Sequence, residues 1–308
     1  RRSAQSWYWW GIPTFFRCPW HDDPAAADIA LVGVPHSSGN GSTERDQHLG
    51  PRAVRHVSGF YRRSHFVHGF APWDKARIHD LGDVPLPEAM NNEACVRDIE
   101  AYYRRLDEAG TRPVSMGGDH SVTGPILKAI AGPGRRLSGG KPCALIHFDA
   151  HTDSYDNMPH WLGARRSAAH WAAYTAKEHA VDPARSVQIG MRGHPSGAIH
   201  KGGVGGSSRE LGYRVITMQE FEELGIAATL EMIRTRVGDG PAYITFDLDC
   251  MDPSVAPGVS NIEPGFSGFT IREATRLLQG LRGLDIIGGD VVCLMPTKDN
   301  PNQITAQM

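Results

Sequence analysis

Three short stretches carry the residues whose types and spacing could do chemistry. HFDAHTDSYD (147–156) sets Asp149, His151 and Asp153 at alternate positions just past the apolar run ALIHF. TFDLDCMDP (245–253) repeats the alternation with Asp247 and Asp249, and SMGGDH (115–120) ends on His120 after two glycines. Side chains at i, i+2 and i+4 of a strand point the same way, so three strand ends would aim four carboxylates and two imidazoles at one place. Converging carboxylates left alone repel and raise one another's pKa values. Two divalent cations balance four negative charges, and six ligands suffice for two ions if two carboxylates bridge. Oxygen and imidazole donors without thiolate suit Mn²⁺, Ni²⁺, Fe²⁺ or Co²⁺. Taken singly, a D-x-D at a strand end is ordinarily a helix N-cap or a solvated turn. A lone D-x-H-x-D reads as a mononuclear site or an ion-paired turn. All three at the ends of three strands read as a two-metal centre. His147 and Asp156 are not counted among the ligands.

Strands have to bring these stretches together. Near-continuous apolar runs ending in Gly or Asp lie at 28–35, 76–82, 112–118, 143–150, 186–193, 213–218, 242–249 and 285–294. This is the pattern of strands buried on both faces. Amphipathic segments lie between them, the clearest at 91–110, opening on Asn and closing on Gly, with another at 272–283. Such alternation predicts an α/β fold with a parallel sheet covered by helices on both faces. The GGK (139–141) and HKGGVGGSSRE (200–210) stretches read as loop insertions within one domain. In such sheets ligands bind beyond the carboxyl ends of the strands, where the polar clusters fall.

Composition narrows the partners. A formal net charge of −2 without a basic stripe argues against nucleic acid, and no run of ~18 apolar residues offers a membrane span. Five widely spaced cysteines without a C-x-x-C argue against a disulfide framework or a zinc site and for a reducing, cytoplasmic setting. Cys143, Cys250 and Cys293 read as buried small hydrophobes. The opening RRSAQSWYWW lacks an initiating Met and a signal-peptide pattern. Residues 1–27 are expected to form an aromatic-rich arm, with Trp9, Trp10 and Phe15 candidates for packing on a neighbouring subunit.

At GGDHS (117–121), FDAHTDSYD (148–156) and FDLDCMDPSVAPG (246–258) the chain resembles the ureohydrolases: arginases, agmatinases and related amidinohydrolases. The resemblance runs from about residue 28 to the end. It implies a three-layer α/β/α fold with a parallel eight-stranded sheet, cleavage of a guanidinium group to urea and an amine, and assembly as trimers or hexamers. It also implies a last helix beyond the final TAQM. By motif position, one ion would take His120, Asp149, Asp153 and Asp247, and the other His151, Asp149, Asp247 and Asp249, with Asp149 and Asp247 bridging. The chemistry agrees. A guanidinium carbon is a poor electrophile, and water held between two such ions loses its proton near neutrality, against about 15.7 for bulk water. The resulting hydroxide can attack that carbon. For the proton owed to the leaving amine, His170 in SAAHWAAY is the family's loop-histidine match and His160 in NMPHW the runner-up; the plain alternative for His170 is a helix-face histidine. Glu263 in SNIEPGF matches the guanidinium-binding carboxylate, which can accept two parallel N–H bonds. Its plain alternative is a surface loop residue.

Departures from the common family text lie in HSSGNGSTERDQHLGPRAVRH, MPHWLGARRSAAHW, APGVSNIEP and GGDVVCLMPT, where Cys293 stands in place of a usual Glu. These stretches resemble the nickel-dependent guanidine hydrolase branch, with its guanylurea and metformin hydrolase relatives. The expectation is therefore two Ni²⁺ ions, with Mn²⁺ the alternative, and a small cationic substrate such as guanidine, guanylurea or metformin. The competing expectations are an agmatinase, a guanidino-acid amidinohydrolase, or one subunit of a hetero-oligomeric metformin hydrolase. A non-catalytic partner subunit would be expected to lose ligands, and all six are kept. A deacetylase of related fold would hold a single zinc with a different ligand set. Trp161 and Trp171 either close the pocket on the substrate cation or pack.

Overall fold

The computed structural model describes residues 11–40, 45–60, 64, 65, 67–156, 164–193, 206–263 and 267–308. All eight expected strands form: β1 (Ile29–Gly33), β2 (Ile78–Asp83), β3 (Arg112–Met116), β4 (Ala144–Phe148), β5 (Val187–Met191), β6 (Arg214–Thr217), β7 (Ala242–Asp247) and β8 (Ile286–Val292). They make one sheet in the order β2-β1-β3-β8-β7-β4-β5-β6, with every pairing parallel. Among the described residues the helices are α1 (Gly50–Val57), α2 (Asn92–Ala109), α3 (Thr123–Ile130), α4 (Trp171–Lys177), α5 (Gly206–Leu211), α6 (Met218–Val237), α7 (Ile271–Gly280) and α8 (Ile304–Gln307).

Both faces of the sheet are covered, as the unbroken apolar runs required. Along β4, Leu145 joins a core built with α2, α3 and α4, while Ala144, Ile146 and Phe148 join a second core built with α6 and α7. Leu145, Ile146 and Phe148 have no exposed surface. Burying each is worth about 1.5–3 kcal/mol, which anchors the strand firmly enough to carry a cluster of like charges just beyond its end. Helix α2 starts where Asn91 accepts a hydrogen bond from the Ala94 amide, and stops at Gly110, whose φ of +77° suits glycine. Helix α7 opens on a capping box between Thr270 and Glu273.

Two expectations need correcting. Gly206–Leu211, which begins inside the stretch read as a loop insertion, is helical; the glycines of that stretch mask a Ser-Ser-Arg-Glu-Leu segment that leads into β6. Phe15 does not reach out to a neighbour. It is fully buried in this chain, with the Arg55 guanidinium 4.1 Å over its ring and its amide donating to Asp80. Trp9 and Trp10 lie outside the described residues. No helix among the described residues is long and apolar enough to cross a membrane.

Candidate metal centre

Four neighbouring strands at the middle of the sheet, β3-β8-β7-β4, end side by side. His120 follows β3, in a 3-10 turn capped by the Asp119 carboxylate, which accepts from the Ser121 amide. The turn packs so closely that a Cβ on Gly118 would stand 1.7 Å from the His36 carbonyl oxygen. Asp149, His151 and Asp153 follow β4, and Asp247 is the last residue of β7, with Asp249 in the turn beyond. The six residues do converge, but not by strand alternation. β4 ends at Phe148, and Asp153 reaches the cluster through a left-handed backbone with φ +48°.

Asp149, Asp247 and Asp249 divide their work between two oxygens. Asp149 Oδ1 accepts the His151 amide at 2.7 Å, Asp247 Oδ1 accepts the Asp249 amide at 2.9 Å, and Asp249 Oδ1 accepts the Ala150 amide at 3.1 Å. The Oδ2 atoms turn inward. Asp149, Asp153 and Asp247 place theirs 2.9, 3.0 and 3.1 Å from His120 Nδ1, and Asp249 Oδ2 lies 3.0 Å from His151 Nδ1. One oxygen can thus cap a turn while the other faces the cluster, so the turn-capping reading of D-x-D does not exclude the metal-holding one.

The set fits divalent cations. His120 Nδ1 is buried and makes no hydrogen bond, although three carboxylate oxygens surround it. Ligands about 2.1 Å from one ion at right angles stand about 3.0 Å apart, which is the spacing found. The charges tell the same story. Burial works against charged His120 and His151, yet the surrounding carboxylates hold both well above the ordinary imidazole range. Burial, then Asp247 and Asp149, pushes Asp249 well up, and burial with Asp149 raises Asp247. Asp149 goes the other way. Its burial is outweighed by His147 and by the neighbouring imidazoles of His120 and His151.

A supporting layer surrounds these groups. His147, set aside as a ligand, belongs to the cluster: its Nε2 lies 2.7 Å from Asp149 Oδ2, while its Nδ1 accepts from the Gln188 amide at 3.0 Å. Asp156 does stand apart, ion-paired with Lys177. Trp171 is fully buried, so it meets no substrate cation; its Nε1 donates to Asp153 Oδ2 at 2.8 Å and its ring packs 4.7 Å from that of His120. Beneath His120, Nε2 lies 2.9 Å from Thr245 Oγ1, which donates to Asp290 at 2.5 Å. Glu263 sits at the solvent side, 2.9 Å from His151 Nε2 and 24% exposed. A Cβ on Gly193 would stand 2.5 Å from the same ring. His170 is buried at the N-terminus of α4, its Nδ1 2.8 Å from Ser167 Oγ. His160 and Trp161 lie outside the described residues.

Cys293 is more than a buried small hydrophobe. It takes a left-handed backbone, φ +68°, and brings its sulfur within 4.8 Å of ligand atoms of His120 and Asp247. Burial and the carboxylates of Asp247 and Asp249 push its thiol well above the usual range. Reading the sequence placed Cys293 only in a variant stretch that shapes the pocket, and missed Thr245 and Asp290 as parts of the site. A lone Asp inside the apolar run of β8 was the available signal, since a buried carboxylate needs partners.

Known proteins match this chain over most of its length. A family model described as the arginase family covers residues 27–308. The guanidinopropionase of Pseudomonas aeruginosa is 42% identical over 295 residues, 94% of this chain and 86% of the relative. The guanidinobutyrase of the same organism is 36% identical over 292 residues, with the same coverage of 94% and 86%. The solved structure of proclavaminate amidino hydrolase from Streptomyces clavuligerus overlays with a TM-score of 0.87 at 32% identity, covering 98% of this chain and 94% of that one. Alike in sequence and in fold from end to end, the chain belongs to the arginase family, as a ureohydrolase that cleaves a C–N bond of a linear amidine.

Proposed function

We propose that the chain is a guanidino-acid amidinohydrolase that splits a short-chain guanidino acid, with water, into urea and the corresponding amino acid. The bare Nδ1 of His120 among three carboxylate oxygens carries the metal reading. The substrate class is supported by relatives named for guanidino acids, at 42% and 36% identity. They favour this class over the free guanidine, guanylurea or metformin expected from the variant loops.

His120, Asp149, Asp153 and Asp247 are assigned to one ion, and His151, Asp149, Asp247 and Asp249 to the other. Two divalent ions held there would supply a nucleophile of hydroxide strength at neutral pH. Glu263, at the solvent side beside His151, accepts N–H bonds from the planar guanidinium and fixes its carbon over the centre. His170, braced by Ser167, delivers the proton that the leaving amine needs. The burial of Asp149, Asp247 and Asp249 keeps bulk water from competing for these contacts. A site of nitrogen and oxygen donors ranks Ni²⁺ above Mn²⁺ in affinity, so nickel stays part of the proposal and both metals belong in the test.

The test is urea release by protein loaded separately with Ni²⁺ and Mn²⁺, on guanidinopropionate, guanidinobutyrate, agmatine, guanidine, guanylurea and metformin. Turnover of a guanidino acid at least about tenfold above the others, a 1.4 kcal/mol preference, is expected. Exclusive turnover of guanidine or a biguanide restores the other substrate class, and no urea from any compound defeats both.

A further inference from the structure

We infer that Asp290, acting through Thr245, is the positioning residue that fixes which nitrogen of His120 faces the metal centre. The inference rests on the two-ion reading above. Thr245 of β7 and Asp290 of β8 stand opposite each other in the pairing register, so their side chains share a face. The Thr245 hydroxyl has one proton, and it is donated to Asp290 Oδ1 at 2.5 Å. Its oxygen can then only accept from His120 Nε2, 2.9 Å away. Once His120 is neutral, its one ring proton therefore sits on Nε2 and its lone pair on Nδ1, facing the three carboxylates and any ion they hold.

Asp290 gives the chain its direction. Its other oxygen accepts from Thr123 Oγ1 at 2.9 Å and from the Tyr243 hydroxyl at 2.7 Å. A carboxylate receiving three hydroxyl protons is acceptor-only. Without that fixed acceptor, the Thr245 hydroxyl could rotate and donate to Nε2, which would move the ring proton to Nδ1 and block the ion. Asp290, Thr245 and His120 are each at most 3% exposed, so water offers no substitute. His151 has a different arrangement: its outer nitrogen meets Glu263 at the solvent side. The two ions thus have separate supports, one internal and one at the entrance.

The separation sets the experiment: titration calorimetry of Mn²⁺ into metal-free protein. Wild type should bind two ions. Thr245→Val should weaken one of them by about 10–100-fold and leave the other unchanged. Thr245→Ser, which keeps the hydroxyl, should restore both to within about threefold. Tyr243→Phe, which removes a donor but not the chain through Thr245, should also keep both. Asp290→Leu, which leaves the Thr245 hydroxyl without its acceptor, should repeat the single loss and carries the test if Thr245→Val does not fold. Two ions bound with wild-type affinity by Thr245→Val or by Asp290→Leu would overturn the inference. Binding is read without turnover. A wild type that binds two ions but releases no urea from guanidino acids would defeat only the substrate reading, whereas one that binds no Mn²⁺ would defeat both.

Discussion

His170 and Trp171 are neighbours in sequence with different tasks. Trp171 fills the core beside His120 and directs its one N–H to Asp153. Trp171→Phe keeps most of that packing and removes the bond, so metal affinity should fall about 10–100-fold while the fold is kept. Equilibrium dialysis against Mn²⁺ reads this, and unchanged affinity would show that Asp153 needs no such partner. His170 leads into the same helix, with its ring braced by Ser167. His170→Ala should lower urea release about 10²–10⁴-fold with metal content unchanged. Wild-type turnover in that variant would return the residue to a helix-end role.

At the level of elements, close approach decides what the turns tolerate. Gly118 lets the turn carrying His120 lie against the His36 backbone, which cannot give way as a flexible side chain can. Overpacking of this kind costs about 1–3 kcal/mol or more. Gly118→Ala should therefore lower the melting temperature by about 5 °C or more. A melting temperature within about a degree of wild type would mean that the turn adjusts freely. The strands were legible in the sequence because a buried parallel strand is a continuous apolar run, and the six converging residues were legible because Asp and His stood at its ends. Alternation alone does not account for their convergence, since Asp153 turns in through a left-handed residue that no alternation rule foresees. Thr245, Asp290 and Cys293 could not be placed, because their part depends on the pairing of β7 with β8 and of β8 with β3. Pairing between segments so far apart leaves no local mark.

For the whole molecule, protons and ions compete for one cluster. His120 and His151 are held above the ordinary imidazole value of 6.5. In metal-free protein the stability this brings is complete below that value and is lost as pH rises through the raised ones. The raised Asp247 and Asp249 act in the same sense, lost as pH rises from the carboxylate range. Lowered Asp149 acts oppositely, its contribution present above 3.8 and lost only as pH falls. Ions replace the protons and bind better as they leave. The melting-temperature gap between loaded and metal-free protein should therefore widen from about pH 6 to about pH 9. A gap that stays constant in calorimetric scans would disprove the competition.

The strand order also decides how the centre is divided between the two halves of the sheet. Without β8 the sheet is two separate blocks, β2-β1-β3 and β7-β4-β5-β6, and β8, the last strand along the chain, is the piece that joins them. His120 belongs to the first block; all four aspartates and His151 belong to the second. The set proposed for one ion, His151, Asp149, Asp247 and Asp249, thus lies within the second block, whereas the set that includes His120 is complete only where β8 joins the two. An ion held by His120 together with Asp149, Asp153 and Asp247 would tie the two halves across that strand, adding to the helix-packed core that already spans them.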